Sequence, residues 1–458
     1  MAPQLSLVRL EDLVSDIDSI NLLSGGFDLR EWIQAIANEG DTSASEVLTL
    51  KITGTSQDNL ASLVQSLDEK IKQANWRKDF SERYDVWLRA KMGNETNARQ
   101  ALILKAMRSP STMLFDVVAG SNNIAREYQL GLERAPWWED SFPYPSTTAI
   151  TGVNSIGGIA TLTETIRGDV NARLIKLTIV PVSPSNLSQF WIGWKTARFG
   201  NPANFLPVWS LNLGSNYNDT SDTVDASAYN GNRITTTFAT QTGLVRRVQV
   251  FVNNVAAITA QDQRGVYSVL LRAKMSDSSV ARARLGYGFG IADPNISPTF
   301  NSRQIISGTG YKFYEMGDVQ IPSPSLPTSF LLNHFVIELD AERISGAGAL
   351  HSDCLVMIPV DDSSIRLTTI TDLTDQRRVI VFQESDDQIK STVEAIGEPG
   401  AIVIHMEVKS RNWSLPANDA FPRLVFAAQG STVQDKTHSA DFTYTYTPRW
   451  ATLRGSET

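Results

Sequence analysis

The chain has 458 residues, of which 42% are hydrophobic and 20% are charged, and it carries a net charge of -8 and a single cysteine. This length is too great for one ordinary hydrophobic core, so two or three domains are expected. The acidic balance argues against a protein that coats nucleic acid, because phosphate binding needs a basic surface. The single cysteine excludes an intramolecular disulfide and a multi-cysteine metal site.

The first residues, MAPQLSLVRLEDLVSD, contain no basic region followed by an apolar core. No stretch of the sequence approaches the roughly 18 consecutive apolar residues that a membrane-spanning helix needs. We therefore expect synthesis in the cytoplasm and no membrane insertion.

The first clear pattern in chain order is a strand followed by a helix. Residues 1–46 are mixed, with a short helical pattern from Leu29 to Ile36. Val47–Ile52 then alternates like a strand, and Gly54 interrupts it. The apolar residues that follow recur at the spacing of one helix face, which predicts an amphipathic helix: Leu60, Leu63, Val64, Leu67, Ile71 and Ala74.

The turn between this strand and helix resembles a phosphate-binding loop at first sight. Such a loop needs a lysine and a Ser or Thr directly after its last glycine, to reach phosphate and magnesium. Here Gly54 is followed by Thr55, and no lysine occurs until Lys70. Thr55 with Asp58 three residues later matches a helix-capping arrangement, so we interpret the turn as a helix cap.

The region after the helix is rich in strand patterns. Four candidates follow in close order at Val86–Met92, Arg99–Ala106, Met113–Val118 and Ala125–Leu132, and turn residues separate them. This arrangement predicts antiparallel hairpins.

From about residue 146 onward almost every segment reads as a strand. Ile175, Leu177 and Ile179 alternate, and Phe190–Trp194 is an apolar aromatic strand. Many short strands separated by Gly, Pro, Asn and Ser indicate β-sandwiches or jelly rolls, and more than about 250 residues of them suggest two such units. The predicted fold class is mainly β: an N-terminal α+β domain with one long helix, followed by two antiparallel β-sandwich or jelly-roll domains.

Side chains that carry catalysis or bind metals form no recognised motif in this sequence. His334, His351, His405 and His438 have no second metal ligand at strand or helix spacing. Cys354 lies in the apolar run CLVMIPV, which favours a buried structural thiol. No nucleophile elbow, zinc-protease motif or dinucleotide fingerprint occurs, so no cofactor is expected.

Two groups of acidic residues leave a choice open. The loop NYNDTSDTVDASAYNGN brings Asn218, Asp219, Asp222 and Asp225 close in sequence, and it is either a solvated loop or a calcium site. The dipeptides Asp361-Asp362 and Asp386-Asp387 suggest a glycoside hydrolase only weakly. Adjacent strand residues point to opposite faces, so two distant acids would have to converge to form the catalytic pair.

Aromatic residues offer the last functional hypothesis. They form either a sugar-binding platform on a jelly-roll face or the aromatic core between two sheets. The candidates for the platform are Trp191, Trp194, Trp209, Tyr287 and Phe289.

Four stretches of the sequence, taken in chain order, are similar to segments of a known protein family. LTLKITGTSQDNLASLVQSLDEKI gives a strand, a cap and a helix, and YQLGLERAPWWE gives a closing strand with an aromatic step. IATLTETIRGDVNARLIKLTI and FTYTYTPRWATLRG look like the first and last strands of an outer jelly roll. In this order they resemble the distal tail proteins of long-tailed bacteriophages.

The resemblance implies a domain arrangement and a role. Residues 1–145 would be the ring-forming domain, 146–200 with 373–458 an outer galectin-like jelly roll, and 201–372 an inserted jelly roll. The expected function is a non-catalytic structural protein of the virion tail, which joins the tail tube to host-attachment proteins. Such a protein assembles as a homo-oligomeric ring, for which six copies are expected.

The ring hypothesis assigns a contact between neighbours to the helix face formed by Leu60, Leu63, Val64, Leu67 and Ile71. Its further partners would be other tail proteins and host-surface glycans. Two alternatives remain: a carbohydrate-binding surface protein without catalytic activity, and a polysaccharide hydrolase.

Overall fold

The structure is a computed structural model that describes residues 3–453 with internal gaps. The segments outside the description are 11–15, 38–40, 77–84, 93–96, 111, 115–123, 147–148, 163–164, 197–204, 241, 254–263, 292–297, 322–332, 361–363, 375–376, 384–388, 396–397, 409–413, 416 and 418–422.

The first third of the chain, here called the N-terminal unit, consists of antiparallel strands and one long helix. The helix α1 packs against strands β4, β5, β6 and β8. Apolar side chains such as Leu50, Leu67 and Leu130, none of them exposed, fill the space between them. The elements are β1 Gln4–Leu10, β2 Asp16–Asn21, β3 Phe27–Ile33, β4 Ala44–Gly54, α1 Gln57–Trp76, β5 Asp85–Lys91, β6 Arg99–Arg108, β7 Thr112–Leu114, β8 Ile124–Arg134 and β9 Trp138–Asp140.

The predicted helix α1 is present, but its cap lies one residue later than expected. The backbone N–H of Asn59 donates to the Ser56 hydroxyl at 3.1 Å, and the Thr55 N–H donates to the Asn59 side chain at 3.1 Å. The cap is therefore Ser56 with Asn59, and the predicted pair of Thr55 with Asp58 is wrong. A Cβ at Gly54 would lie 2.6 Å from the backbone nitrogen of Leu60, so the close approach of strand to helix requires glycine there.

The predicted short helix from Leu29 to Ile36 is wrong, because residues 29–33 belong to strand β3 and residues 34–36 follow it without regular structure. Its residues pair with β4 from Phe27 opposite Ile52 to Ile33 opposite Val47. The Trp32 indole N–H also donates to Glu46 on β4 at 2.7 Å. Pairing with a long neighbouring strand outweighs a local helical pattern, since propensity is a weak determinant against tertiary contacts.

A second unit, here called the outer sandwich, combines strands from two distant parts of the sequence. Its two sheets enclose a core that includes Leu174, Trp194, Phe426 and Phe442. The elements are β10 Tyr144–Pro145, β11 Ile150–Asn154, β12 Gly158–Thr161, β13 Val170–Val182 and β14 Leu187–Lys195, followed after the insertion by β27 Ser364–Leu373, β28 Arg377–Gln383, β29 Ile389–Ala395, β30 Glu398–Val408, β31 Ser414–Leu415, β32 Arg423–Gln429 and β33 Ser439–Trp450.

The intervening described strands form the inserted sandwich, and they pair only with one another, in two six-stranded sheets. Strand β27 pairs instead with β14 and β30 of the outer sandwich, so the predicted end of the insertion at residue 372 falls inside an outer strand. The elements are β15 Val208–Ser210, a short 3-10 helix Leu211–Leu213, β16 Ser215–Asn216, β17 Thr220–Val224, β18 Asn232–Thr236, β19 Val245–Asn253, β20 Gly265–Met275, β21 Val280–Ile291, β22 Thr299–Phe300, β23 Gln304–Ser307, β24 Lys312–Ile321, β25 Asn333–Ser345 and β26 Leu350–Pro359.

The inserted and outer sandwiches pack face to face. All ten residues of β26 are buried, and β26 contacts both β14 and β32 of the outer sandwich. On β14 the odd-numbered Trp191 joins the core of the inserted sandwich, whereas Phe190 and Trp194 join the core of the outer one. A side chain at Gly193 would collide with the carbonyl oxygen of Pro359 at the end of β26. The two sandwiches therefore form one stack without a solvent gap at this point.

Hydrogen-bonded pairing also connects the outer sandwich to the N-terminal unit. The ladder runs from β2 through β1, β5, β6 and β9 to β33, which is the last strand of the outer sandwich. Mainly antiparallel β-structure with one long helix is thus confirmed for the described residues.

Candidate functional site

The apolar stripe predicted on α1 lies against the chain's own sheets. Leu60 and Leu67 are 4% and 0% exposed, and Leu63, Val64 and Ile71 are half-buried against the same core. The far end of the helix is fixed as well, since the Asn75 amide exchanges hydrogen bonds of 2.8 and 2.9 Å with the backbone of Ala106 on β6. The chain's own sheets therefore cover Leu60 and Leu67, and the assignment of the stripe to contacts between neighbouring subunits stays a prediction.

The N-terminal unit carries a different apolar surface, which we call the assembly edge. Strand β2 pairs only with β1 and strand β3 only with β4 among the described strands, so each leaves one side open. Exposed apolar side chains lie on and beside these strands: Ile17 at 46%, Leu23 at 36%, Ile33 at 57% and Ile36 at 72%. An open strand side with apolar side chains is a surface prone to pairing with another chain.

The aromatic platform predicted from Trp191, Trp194 and Trp209 is not formed. Trp191 and Trp194 are 3% and 1% exposed and belong to the cores on opposite faces of β14. Trp209 is half-buried on β15, with its indole N–H donating to the Leu206 carbonyl at 3.1 Å. The alternation of a strand separates Trp191 from Trp194, so the three rings share no exposed face.

The two remaining aromatic candidates lie on β21. Tyr287 is half-buried against the inserted core, with its ring 6.2 Å from that of Phe335. The side chain of Phe289 lies outside the described residues. Tyr287 thus has the position expected of an aromatic core residue.

Trp191 does contribute to a site, as part of an open groove of ≈ 620 Å³ where the two sandwiches meet. We call it the junction groove. Strand β24, the segment 301–304 and strands β14 and β27 surround it. The lining is mostly polar and consists of Gln189, Trp191, Asn301, Ser302, Gln304, Phe313, Tyr314, Glu315, Gly317, Asp318 and Arg366.

One ion pair organises the base of the junction groove. Glu315 on β24 accepts from the Trp191 indole N–H at 2.6 Å and pairs with the Arg366 guanidinium of β27 at 2.9 Å. Phe313 packs edge-on against Trp191 at 5.8 Å between centroids. Residues from both sandwiches therefore position a carboxylate, a guanidinium and aromatic rings at the same place. Their contacts with one another order these side chains without a bound ligand.

Amides and hydroxyls form the rim of the junction groove. Gly317 has a φ of 95°, a conformation that favours glycine, and Asn301 lies beside it with its amide donating to the Asp318 carbonyl at 3.2 Å. Ser302 is exposed, and Gln189 and Gln304 are half-buried. Sites for small polar ligands combine a few aromatic rings with such donors and acceptors.

The four residues of the predicted calcium loop do not converge on one point. Asp225 accepts from Tyr311 at 3.0 Å, Lys274 at 3.2 Å and Arg233 at 2.5 Å. Asp219 instead accepts from Thr240, and Asp222 from Asn216. Asn218 donates to the Arg246 carbonyl. These side chains hold the loop together in separate places, which contradicts a shared calcium site.

The buried titratable groups of the inserted sandwich form a polar cluster that stabilises the fold. Asp353, 0% exposed, pairs with Arg272, whose Nε also donates to Gln434 of the outer sandwich at 2.5 Å. Burial raises the pKa of the Cys354 thiol well above its usual value. Burial next to Arg233 and Lys274 lowers the pKa of His351 to about 4. The thiol and the imidazole are therefore both neutral at neutral pH.

Other predicted features lie partly outside the described residues. Asp361-Asp362 and Asp386-Asp387 are in the segments that the structure does not describe, as are the side chains of His334 and His405. Within the described ranges, His, Cys, Asp and Glu side chains form no group of three that suits a metal ion. The described part of the chain also has no helix with the length and apolarity that a membrane crossing requires.

Comparisons with known proteins give no family. No protein-family model matches the chain, and neither does any curated protein. The N-terminal CBM22-1–CBM22-2 tandem domain of Paenibacillus barcinonensis Xyn10C matches 55% of this chain and 99% of its own, with 9% identity and a TM-score of 0.24. The baseplate of phage P2 in its activated conformation with Ca matches 77% of this chain and 98% of that chain, with 9% identity and a TM-score of 0.23. At these TM-scores neither likeness carries an argument about function.

Proposed function

We propose that the chain is a structural subunit of a phage tail tip or baseplate, which assembles with copies of itself into a ring. In the virion tail this ring joins the tail tube to host-attachment proteins. The observation that carries the proposal is the assembly edge: two open strand sides with exposed isoleucines, on a unit whose helix is already covered. A closed ring removes open strand sides by pairing or covering them. The order of strand, cap, helix and sandwiches agrees with the family resemblance of the sequence.

The assembly edge gives a direct test of this proposal. Wild-type protein at micromolar concentration is expected to form closed rings in electron microscopy, with a matching mass in solution. The double variant Ile33→Lys/Ile36→Lys is expected to remain monomeric. Both side chains are more than half exposed, so the change should leave the melting temperature within about 2 °C.

The matched control is Leu213→Lys, which alters an apolar residue that is 80% exposed in the inserted sandwich. This variant should assemble like the wild type. Rings formed equally well by the Ile33/Ile36 variant would exclude the assembly edge as the contact. A wild-type protein that stays monomeric at every concentration tested would argue against self-assembly.

The junction groove favours a second candidate function, which is non-catalytic carbohydrate binding. Saccharides present many hydroxyl groups, each able to donate and accept, and the rim offers amides and hydroxyls that do the same. Glu315 is already held by Arg366 and Trp191, an arrangement suited to holding a ligand in place. Because the Glu315 carboxylate is already paired, the groove suits binding better than the hydrolase alternative, which needs an acid that is free to transfer a proton.

Full-length protein on a glycan array tests this second candidate. The double variant Asn301→Ala/Gln304→Ala removes two rim amides and should weaken binding of any captured glycan at least about tenfold, at roughly 1 kcal/mol for each lost hydrogen bond. Arg303→Ala is the control, because Arg303 is exposed, pairs with Glu342 at 4.0 Å and does not belong to the groove lining. Release of reducing ends from a bound polysaccharide would instead support the hydrolase.

A further inference from the structure

The final described residues of the chain belong to the core of its N-terminal unit. Trp450 and Leu453 are 7% and 1% exposed, and both pack in the same cluster as Leu5, Leu67 and Trp138. Trp450 continues β33 beyond the outer sandwich and pairs with Trp138 on β9. The N-terminal core is therefore closed by residues more than 300 positions later in the sequence.

A buried charge makes the N-terminal unit depend on this segment. Arg99 on β6 is 2% exposed, and its Nη1 donates to the carbonyl oxygens of Thr452 and Leu453, both at 2.9 Å. Its guanidinium also lies 4.2 Å above the centroid of the Trp450 ring. A buried cation is strongly destabilising when its partners are removed. Without residues 450–453, Arg99 would lose two acceptors and its aromatic cover.

The charged residues next to Arg99 also contact the end of strand β33. The Trp450 indole N–H donates to Asp140 at 2.9 Å, and Arg449 pairs with Glu139 at 2.9 Å. Glu139 also pairs with Arg173 of the outer sandwich at 2.6 Å. Strand β9 is thus held on its outer side by β33, and β6, β5, β1 and β2 follow it in the hydrogen-bonded ladder.

We propose that residues 450–453 act as a completion lock: they finish the N-terminal core and thereby keep the assembly edge folded. Strand β2, part of that edge, is the far end of the ladder that β33 closes. A chain that lacks the lock has no stable edge to offer another copy. Only chains that carry this folded segment then enter an assembly. The folding part of this inference stands alone, and its consequence for assembly rests on the proposed ring function.

Two shortened chains test the lock. One ends at Arg449 and lacks residues 450–458, and its control ends at Leu453 and lacks only residues 454–458, so the two chains differ in residues 450–453 alone. Hydrogen exchange of helix α1 is expected to be at least about 100-fold faster in the chain ending at Arg449, because the buried Arg99 loses two hydrogen-bond acceptors and the cover of the Trp450 ring. Strand β13 of the outer sandwich is the internal reference and should keep its protection. Equal protection of α1 in both chains would overturn the proposal.

The full-length variant Trp450→Ala keeps the chain ends unchanged and guards against a general failure of the shortened chain to fold. It should accelerate exchange in α1 and leave β13 protected, whereas Trp209→Ala in the inserted sandwich should leave α1 unaffected. Loss of protection in β13 together with α1 would show a general collapse and overturn a lock specific to the N-terminal unit. If wild-type protein forms no rings, the proposed function fails, but the exchange comparison still decides whether the lock exists.

Discussion

The N-terminal unit and the inserted sandwich distribute their exposed apolar side chains differently. Along the inserted sandwich, charged pairs cross neighbouring strands, with Arg284 to Asp340 at 2.9 Å and Arg246 to Glu338 at 2.9 Å. Its exposed Leu213, Val224 and Ile305 lie on three separate elements, whereas the N-terminal unit exposes Ile17, Leu23, Ile33 and Ile36 within the single stretch 17–36 that contains the two open strands. Charged cross-strand pairs suit a sheet that remains in solvent, and apolar open edges suit one that becomes covered. This comparison is the reason that we propose the N-terminal unit, rather than the inserted sandwich, as the part that contacts other copies.

The two units also differ in what completes them. The polar cluster of the inserted sandwich around Asp353 is completed by Gln434 of the outer sandwich, and the two sandwiches share one apolar core. The N-terminal unit needs Trp450 and Leu453 from the other end of the chain. If this contrast is right, substitutions in the two units should destabilise separate parts of the molecule.

The largest expected effect follows from Leu67→Asp in α1. Leu67 is fully buried, so the variant places a carboxylate in an apolar core and should lower the free energy of unfolding by at least about 5 kcal/mol. The N-terminal unit should unfold or aggregate while the inserted sandwich keeps its protection from hydrogen exchange. Gln65→Asp, on the exposed side of the same helix, is the control. Wild-type melting of the Leu67 variant would show that α1 does not pack as described.

A smaller effect is expected from Asp353→Ala in the inserted sandwich. The variant leaves Arg272 buried without its carboxylate, which typically costs about 3–5 kcal/mol. Chemical denaturation should show the loss, with α1 protection unchanged. Asp222→Ala, which removes an exposed carboxylate, should change stability by less than about 0.5 kcal/mol. Equal loss of protection in α1 would mean that the two units unfold together.

An intermediate, pH-dependent effect is expected from His351. Its folded pKa is about 4 against a usual value of 6.5, so the unfolded chain binds more protons between these values. Stability is therefore fully present above pH 6.5 and falls as the pH drops toward 4, by up to roughly 3 kcal/mol. His351→Gln should reduce this loss in denaturation curves measured from pH 7 to 4. An unchanged pH profile would show that His351 does not titrate as a buried neutral group.

The smallest effect is expected from Arg284→Ala on the outer face of the inserted sandwich. Arg284 pairs with Asp340 and lies 3.5 Å from the centroid of the Phe300 ring. A partly exposed pair of this kind contributes about 1 kcal/mol or less. Thermal melting at low and high salt should show a small loss that salt reduces. If the loss instead matched that of Asp353→Ala, the surface pairs would matter more to this unit than its buried cluster.

Local sequence patterns were sufficient for much of the fold. The spacing of Leu60, Leu67 and Ala74 identifies α1, and the contacts of this segment with the rest of the fold leave the helix unchanged. The spacing of Leu29, Trp32, Ile33 and Ile36 also fits a helix, yet β4 pairs with this segment and makes it a strand. A local pattern cannot reveal which neighbour a segment will meet, and here the neighbour decides.

The junction groove was beyond prediction for a related reason. Gln189, Asn301, Glu315 and Arg366 come from four separate segments and meet only after the insertion folds back on β14 and β27. The signal that was available is parity, because Trp191 and Trp194 are three residues apart on one strand and must face opposite sides. Parity alone would have separated the two tryptophans, and the fold then shows that Trp191 faces the inserted sandwich.

Strand β33 spans ten residue pairs with β13 but only two with β9. A pull that separates the outer sandwich from the N-terminal unit therefore meets its weakest backbone connection at Arg449 and Trp450. Side-chain contacts provide most of the resistance there. Arg99 donates to the carbonyl oxygens of Thr452 and Leu453, and Glu139 pairs with Arg449 and Arg173. Mechanical rupture of the molecule should begin at this seam, with each sandwich still intact.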